Sequence, residues 1–173
     1  GYHADNPAWL TEQDSLRGND SFAYSYHKRL VEEMLAQYRS SHPALQQLVL
    51  RPGTVLGETT QNQITNLFNQ KRILAVKGST SPFVFIWDED VVDIIRQGVC
   101  ESKTGKFNLA GDGAMTIADI ADALNKPLLQ LSPWLLKLAL TIGHTFGLTH
   151  YSAKQLDFLR YRPVLDNRAL KED

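Results

Sequence analysis

Tyr24 and Lys28 sit four residues apart in the run Phe22-Ala-Tyr-Ser-Tyr-His-Lys28-Arg-Leu-Val-Glu-Glu-Met-Leu35. Leu30, Val31, Met34 and Leu35 recur at helical spacing, so the run reads as a helix. Positions i and i+4 share one helix face, and the phenol and the ammonium can therefore enter one pocket. A free tyrosine titrates near pH ~10 and is a poor base at neutral pH. A cation within a few ångströms favours the phenolate. A phenol so tuned can take a proton from a hydroxyl or return one to a carbonyl oxygen. Without further context such a pair is equally a surface lysine and a half-buried tyrosine on an amphipathic helix.

Context comes from the elements on either side. Arg39-Ser-Ser-His-Pro-Ala breaks the helix, with Pro43 barring its continuation. Leu48-Val-Leu50 then reads as a short buried strand closed by Arg51-Pro52-Gly53, and a loop follows to Gly57. Ligands of open α/β sheets sit where a strand's C-terminal end opens into such a loop. Further on, Phe83 to Ile86 reads as a strand and Asp88-Glu-Asp90 as helix-capping acids before Val91. Phe107-Asn-Leu reads as a strand, and Thr116 with Asp119 as a capping box. Gln61 to Gln70, Ser152 to Leu159 and residues 166–171 read as further helices, the last capped by Asp166 or Asn167.

In this order the motifs resemble the extended short-chain dehydrogenase/reductase family, also known as the NAD-dependent epimerase/dehydratase family. Tyr-x-x-x-Lys, the Arg51-Pro52-Gly53 strand end, Phe83-Val-Phe-Ile-Trp87-Asp-Glu-Asp90, Gly105-Lys-Phe-Asn-Leu-Ala-Gly111 and Thr116-Ile-Ala-Asp119 all carry the likeness. So does Asp5-Asn-Pro-Ala-Trp9-Leu-Thr-Glu12, similar to the loop that leads to the family's catalytic tyrosine. The resemblance covers most of residues 1–125. It implies an α/β fold, the C-terminal part of a Rossmann-like enzyme, mostly helices with a few short strands. Residues 1–57 would be the remnant of the dinucleotide-binding domain and 58–173 the substrate-binding lobe.

The resemblance also implies roles. Tyr24 would be the catalytic acid/base. Lys28 would tune it and hold the nicotinamide ribose. Pro52, Gly53 and Val55 would line the cofactor side, and Thr54 and Trp87 would face substrate. The cofactor of the full-length enzyme would be NAD or NADP. The family's Gly-rich phosphate turn is missing from this sequence, and Gly111 with Gly113 lacks a third glycine. The chain therefore reads as about half of a larger enzyme, cut at both ends. As a fragment it should be inactive, with no cofactor bound. It should also self-associate through the apolar surface left by the missing part.

The substrate branch is read from departures. Nucleotide-sugar enzymes of the family usually carry Arg-x-x-Asn-x-x-Gly-Pro, where this chain has Thr54 for Asn and Glu58 for Pro. No arginine precedes Phe83 in Gly78-Ser-Thr-Ser-Pro82 to hold a diphosphate. Trp87 and the apolar run 131–147 point to a less polar hydroxy or keto compound, with the fragment inert by itself. The alternative is a non-catalytic relative that senses dinucleotide or binds a protein partner.

Composition sets the outer limits. The 173 residues are 43% hydrophobic and 21% charged, which suits a folded core. A net charge of −1, with no basic stripe, excludes nucleic acid as the expected partner. The single Cys100 precludes an internal disulfide and reads as a small buried residue. The five histidines show no metal-ligand spacing, so no metal is expected; His27 reads as surface, and His144 and His150 as core or edge residues. Ser132 and Pro133 open an apolar helix, read as part of the substrate lobe in preference to a membrane-lying segment. With no signal peptide seen in this sequence and no cysteine framework, a cytoplasmic location is the expectation.

Overall fold

The computed structural model describes residues 1–80, 82–147 and 156–172. Its elements run α1 (Ala23–Ser41), β1 (Leu48–Pro52), β2 (Thr54–Leu56), α2 (Gln63–Phe68), β3 (Ile73–Val76), β4 (Phe85–Trp87) and α3 (Asp88–Cys100). They continue with β5 (Gly105–Leu109), α4 (Ile117–Ala123), β6 (Leu128–Leu131), α5 (Pro133–Thr145), α6 (Leu156–Arg160) and α7 (Arg168–Glu172). Three parallel strand pairs form: β1 with β5, β2 with β4, and β3 with β6. Parallel pairing requires a long crossover, and helices supply it here. The fold is α/β, with short strands among seven helices of the described residues.

The chain changes partner at Gly53. Gly53 N–H donates to the Leu109 carbonyl at 2.8 Å, on β5, while Thr54 N–H donates to the Val84 carbonyl at 3.0 Å, just before β4. A Cβ at Gly53 would stand 2.9 Å from Val84 Cγ2 and 3.1 Å from the Val84 carbonyl oxygen. Only a residue without a side chain lets the strand end pass so close. Pro52 can close β1 because the next ladder bond comes from Gly53.

Ile86, Phe107 and Leu109 form the core between the β1–β5 pair, α3 and α7. A second core gathers Ile64 and Phe68 of α2, Ile73 of β3, Ile120 of α4 and Phe83 just before β4. Asn108 is 1% exposed and joins three segments. Its N–H donates to Glu12 Oε1 at 2.7 Å, and its Nδ2 donates to the carbonyls of Leu10 and Asp166 at 2.9 and 3.1 Å. The buried amide thus ties residues 10–12 and 164–166 to β5, and its polar groups are satisfied.

Several local expectations shift. β2 replaces part of the loop expected after Gly53, and β6 pairs with β3 where no strand was expected. Phe83 does not enter β4; it makes an isolated bridge to Met115. α2 is shorter than the expected 61–70, and Asn62 caps it in a capping box with Thr65. α3 begins at Asp88, whose carboxylate accepts the Glu89 N–H at 3.0 Å and the Thr60 hydroxyl at 2.7 Å. Thr116 and Asp119 form the expected box at the start of α4. Asp166 accepts the Arg168 N–H at 2.9 Å, as expected for a cap. Ser132 stands at the N-cap of α5 with Pro133 next, but its hydroxyl makes no capping bond.

Two burial expectations are corrected. Cys100 is exposed, because it ends α3 on the side away from the β1–β5 core. His144 is exposed in the last turn of α5, since only Leu136 of that helix is buried. His27 is exposed on α1, while His150 and the start of the expected helix from Ser152 lie outside the described residues. No helix among the described residues is long and apolar enough to cross a membrane.

Candidate active site

The start of α1 positions the phenol. Phe22 is the N-cap residue, and no acidic side chain occupies the first turn. Ser25 is the one buried residue of α1. Its hydroxyl donates to Asn19 Oδ1 at 3.0 Å, and Asn19 in turn accepts the Tyr2 N–H at 2.7 Å and donates to the Tyr2 carbonyl at 2.9 Å. About two turns further along α1, Glu32 forms an ion pair with Arg51 at 2.6 Å, both side chains largely shielded. Arg51 Nε also donates to Glu32 Oε1 at 2.8 Å, which makes the pair a fork. α1 is thus held over the β1 strand end by polar ties at both ends of its first three turns.

Tyr24 stands on the ridge between two hollows and lines both. The first holds about 490 Å³. Pro52, Gly53, Thr54 and Val55 form one wall of it, and Tyr2, Phe22, Phe158 and Arg162 another. The second holds about 370 Å³ and is lined by Lys28 together with Pro52, Val49 and Asn108. Tyr24 is 59% exposed, and Lys28 Nζ lies 5.7 Å from the centre of its ring. The pair therefore shares one face of α1, as the i, i+4 spacing requires.

An aromatic band extends from Tyr24 along the first hollow. Phe22 lies 6.0 Å from Tyr24 and 5.7 Å from Phe158, centre to centre. Tyr2 packs edge-on against Phe158 at 5.1 Å. Beyond Phe158, the Arg162 guanidinium stacks over Phe158 at 4.6 Å and over Phe83 at 4.1 Å. Burial pushes this guanidinium down to about 10, with the Tyr2 phenol opposing the shift. Burial pushes the Tyr2 phenol up, with Arg162 pulling it back and Tyr24 adding to the rise. Arginine stays charged at neutral pH under such a shift, so a cation is held against aromatic faces.

Most of the residues singled out by sequence meet here. Tyr24, Pro52, Gly53, Thr54 and Val55 line the first hollow, and Lys28 joins Tyr24 and Pro52 at the second. Trp87 lines neither; it ends β4, where it is 42% exposed. Sequence reasoning missed Tyr2, Phe158, Arg162 and the Arg51–Glu32 pair. Arg162 sits in an irregular stretch next to Pro163, with no periodicity to mark it. Arg51 carried a signal, since it stands in the Arg-Pro-Gly run, but its partner lies 19 residues away. Among the described residues no group of three His, Cys, Asp or Glu side chains gathers as metal ligands do.

No family model matches the sequence, and no curated protein does. The fold does match solved structures. The human epimerase family protein SDR39U1, solved with NADPH, superposes with a TM-score of 0.67 at 18% identity, over 95% of this chain and 53% of its own. The dTDP-glucose 4,6-dehydratase of Bacillus anthracis, solved with NAD, gives 0.63 at 14% identity, over 96% and 49%. The dTDP-4-dehydrorhamnose reductase of the same organism, solved with NADP, gives 0.60 at 14% identity, over 97% and 54%. This chain spans about half the length of each. Its fold is that of the extended short-chain dehydrogenases/reductases, as the motif order implied.

Proposed function

We propose that residues 1–173 supply the catalytic tyrosine and the substrate side of an NAD(P)-dependent oxidoreductase or epimerase/dehydratase that acts on a hydroxy or keto compound. The observation that carries this reading is the position of Tyr24 on the ridge between the two hollows, with Lys28 one turn along the same helix face. A group that must exchange a proton with substrate while touching the cofactor needs such a ridge.

The donor set suits a dinucleotide. A phenol hydroxyl and an ammonium beside the Pro52 strand end fit the ribose and nicotinamide end of NAD(P). Tyr24 and Lys28 would hold that end, with Pro52, Gly53 and Val55 alongside. NAD(P), when bound, takes or gives the hydride. Tyr24 takes the proton from the substrate hydroxyl, or gives it to the carbonyl oxygen, at its Oη. Lys28, its Nζ 5.7 Å from the centre of the Tyr24 ring, presents an ammonium that can donate to the ribose hydroxyls beside the phenol. Thr54 and Val55 shape the substrate wall. The Phe22 and Phe158 rings give the first hollow an apolar wall beside Tyr24. Residues 1–57 serve the dinucleotide side in this reading, and 58–173 the substrate lobe.

The decisive test is Tyr24→Phe in the full-length protein. The variant should bind NAD(P) as the parent does and lose turnover. Unchanged turnover with any hydroxy or keto substrate that the parent accepts sinks the assignment.

A further inference from the structure

α5 has two unlike faces. At 3.6 residues per turn, Trp134, Leu135, Leu138, Ile142 and Phe146 share one arc about 120° wide, and Leu136 and Leu140 lie on the opposite side. The Leu136 side packs: with Val76 of β3 and Leu156 of α6 it makes a small apolar core, which Leu140 joins. The other side is open. All five residues of the arc are exposed, Trp134 to 66% and Phe146 to 74%. Large apolar side chains gathered on one face, not scattered singly, mark a surface that meets something apolar. No residue of α5 lines either hollow beside Tyr24, so this face stands apart from the candidate active site.

Three features choose the occupant. First, a face about 20 Å long and about 10 Å wide, mirrored in a second copy, falls well short of the roughly 1,200 Å² that stable interfaces bury. Second, α5 holds no aspartate or glutamate; its titratable residues are Lys137 and His144, two turns apart along one edge of the arc. α6, the described helix packed beside it, adds one acid, Asp157, and one base, Arg160, and so no net charge. Third, Trp134 stands in the first turn. An indole joins an apolar body to a polar N–H and suits the boundary between acyl chains and headgroups. A lysine at the edge of such a face keeps its ammonium at headgroup level. A helix of 13 residues is too short to span a bilayer and would lie in its surface.

We propose that α5 docks on an anionic phospholipid surface, with Trp134, Leu138 and Ile142 sunk below the headgroups and Lys137 among them. Read from sequence alone, α5 belongs to the substrate lobe in preference to a membrane-lying segment. The structure gives each role its own face: Leu136 packs into the lobe, and the opposite arc is left for lipid.

The test is flotation of the full-length protein with phosphatidylcholine vesicles, with and without about one-third phosphatidylserine. The protein should float with the anionic vesicles at millimolar lipid. Phosphatidylserine should raise binding roughly fivefold, the worth of one lysine near an anionic surface. Leu138→Glu with Ile142→Glu should cut binding by about 100-fold or more, since two apolar side chains no longer enter the bilayer. Lys137→Gln should remove only the phosphatidylserine gain. All three positions are exposed, so the melting temperature should hardly move. No flotation at millimolar lipid, binding that survives the double substitution, or binding that phosphatidylserine does not raise would each overturn the proposal. Light scattering without vesicles tests the second copy. A dimer that the double substitution turns into a monomer would give the face to another copy and overturn the proposal, and a parent already monomeric supports it. The wild-type flotation needs no variant, so a misfolded double variant does not shelter the idea. Tyr24→Phe should float as the parent does, so the acid/base assignment can fail without touching this one.

Discussion

α1 and the β1–β5 pair meet at the same hollow but are held in different ways. In β5, Phe107, Asn108 and Leu109 are all buried, and Asn108 satisfies three segments at once. α1 has a single buried residue, Ser25, and Leu30, Val31 and Met34 on its apolar stripe are exposed. The strand pair is fixed by packing, whereas the helix is fixed by a few polar ties. The floor of the site is therefore stable in itself, and the group proposed to do chemistry rides on the less anchored element. Placing a reactive side chain on such an element makes its geometry sensitive to single polar contacts, while the fold is sensitive to the strand pair.

The largest effect should separate the two regions outright. Tyr24→Phe removes one oxygen from an exposed ring, so stability should barely change, while turnover falls by about 10²–10⁴-fold, the usual worth of a positioned acid/base. Steady-state kinetics beside a melting curve reads both. Asn108→Ala should do the opposite. It removes the Nδ2 donor shared by the part-buried Leu10 and Asp166 carbonyls, of which Leu10 keeps the Asp166 N–H, and an orphaned buried polar group costs about 1–3 kcal/mol. Denaturant unfolding should report a loss of that order or more, with residues 10–12 and 164–166 loosened. A stability change in Asn108→Ala no larger than in Tyr24→Phe would erase the distinction between floor and helix.

An intermediate case tests the joint between them. Arg51→Met keeps the aliphatic bulk of the side chain but leaves Glu32 half-buried and unpaired. The fork to Glu32 spans α1 and β1, and hydrogen bonds to charged groups contribute about 1.5–3 kcal/mol. Turnover should fall by roughly tenfold through a displaced Tyr24, as small misplacements of reacting groups cost rate steeply. The companion Glu32→Gln retains an acceptor for Arg51 and should recover most of the loss. Equal losses in both variants would mean that charge, and not placement, matters at this joint.

The same contrast explains what could be read from the sequence. Tyr24, Lys28 and the Arg51-Pro52-Gly53 strand end were legible because helix period and turn chemistry are local, and the pocket wall from Pro52 to Val55 is one continuous segment. Asp119 and Thr116 were legible for the same reason, as a capping box spans three residues. Arg162 was not, because its meaning comes from Phe83, 79 residues earlier by its number, and from burial that no local pattern encodes. β6 escaped because Leu128–Leu131 borders an apolar helix and only its pairing with β3 marks it as a strand. Trp87 was assigned to substrate on its residue type, and the strand end carries it away from the hollow. Cys100 was placed inside, and His144 in the core or at its edge, by their apolar neighbours in sequence, yet a helix's one-sided burial decides exposure residue by residue.

The smallest effect lies furthest from the site and tests the floor's own edge. Asp119 caps α4, which packs Ile120 and Ala121 into the core beside β3. Its carboxylate accepts the Thr116 hydroxyl and the Thr116 N–H, both at 2.7 Å, and these bonds hold its titration below the usual carboxylate range. A depressed carboxylate stabilises the fold above its unfolded pKa, near ~3.9, and that contribution is lost as pH falls through the lower folded value. Asp119→Asn should therefore lower the melting temperature slightly at neutral pH, and the gap to the parent should close as the solution is taken below about pH 4. Turnover at neutral pH should be untouched, since α4 reaches neither Tyr24 nor the ties of α1. A gap that stays constant down to pH 2 would assign the cap's effect to hydrogen-bond geometry alone, and a fall in turnover would show that the two regions are coupled more tightly than their separate anchoring implies.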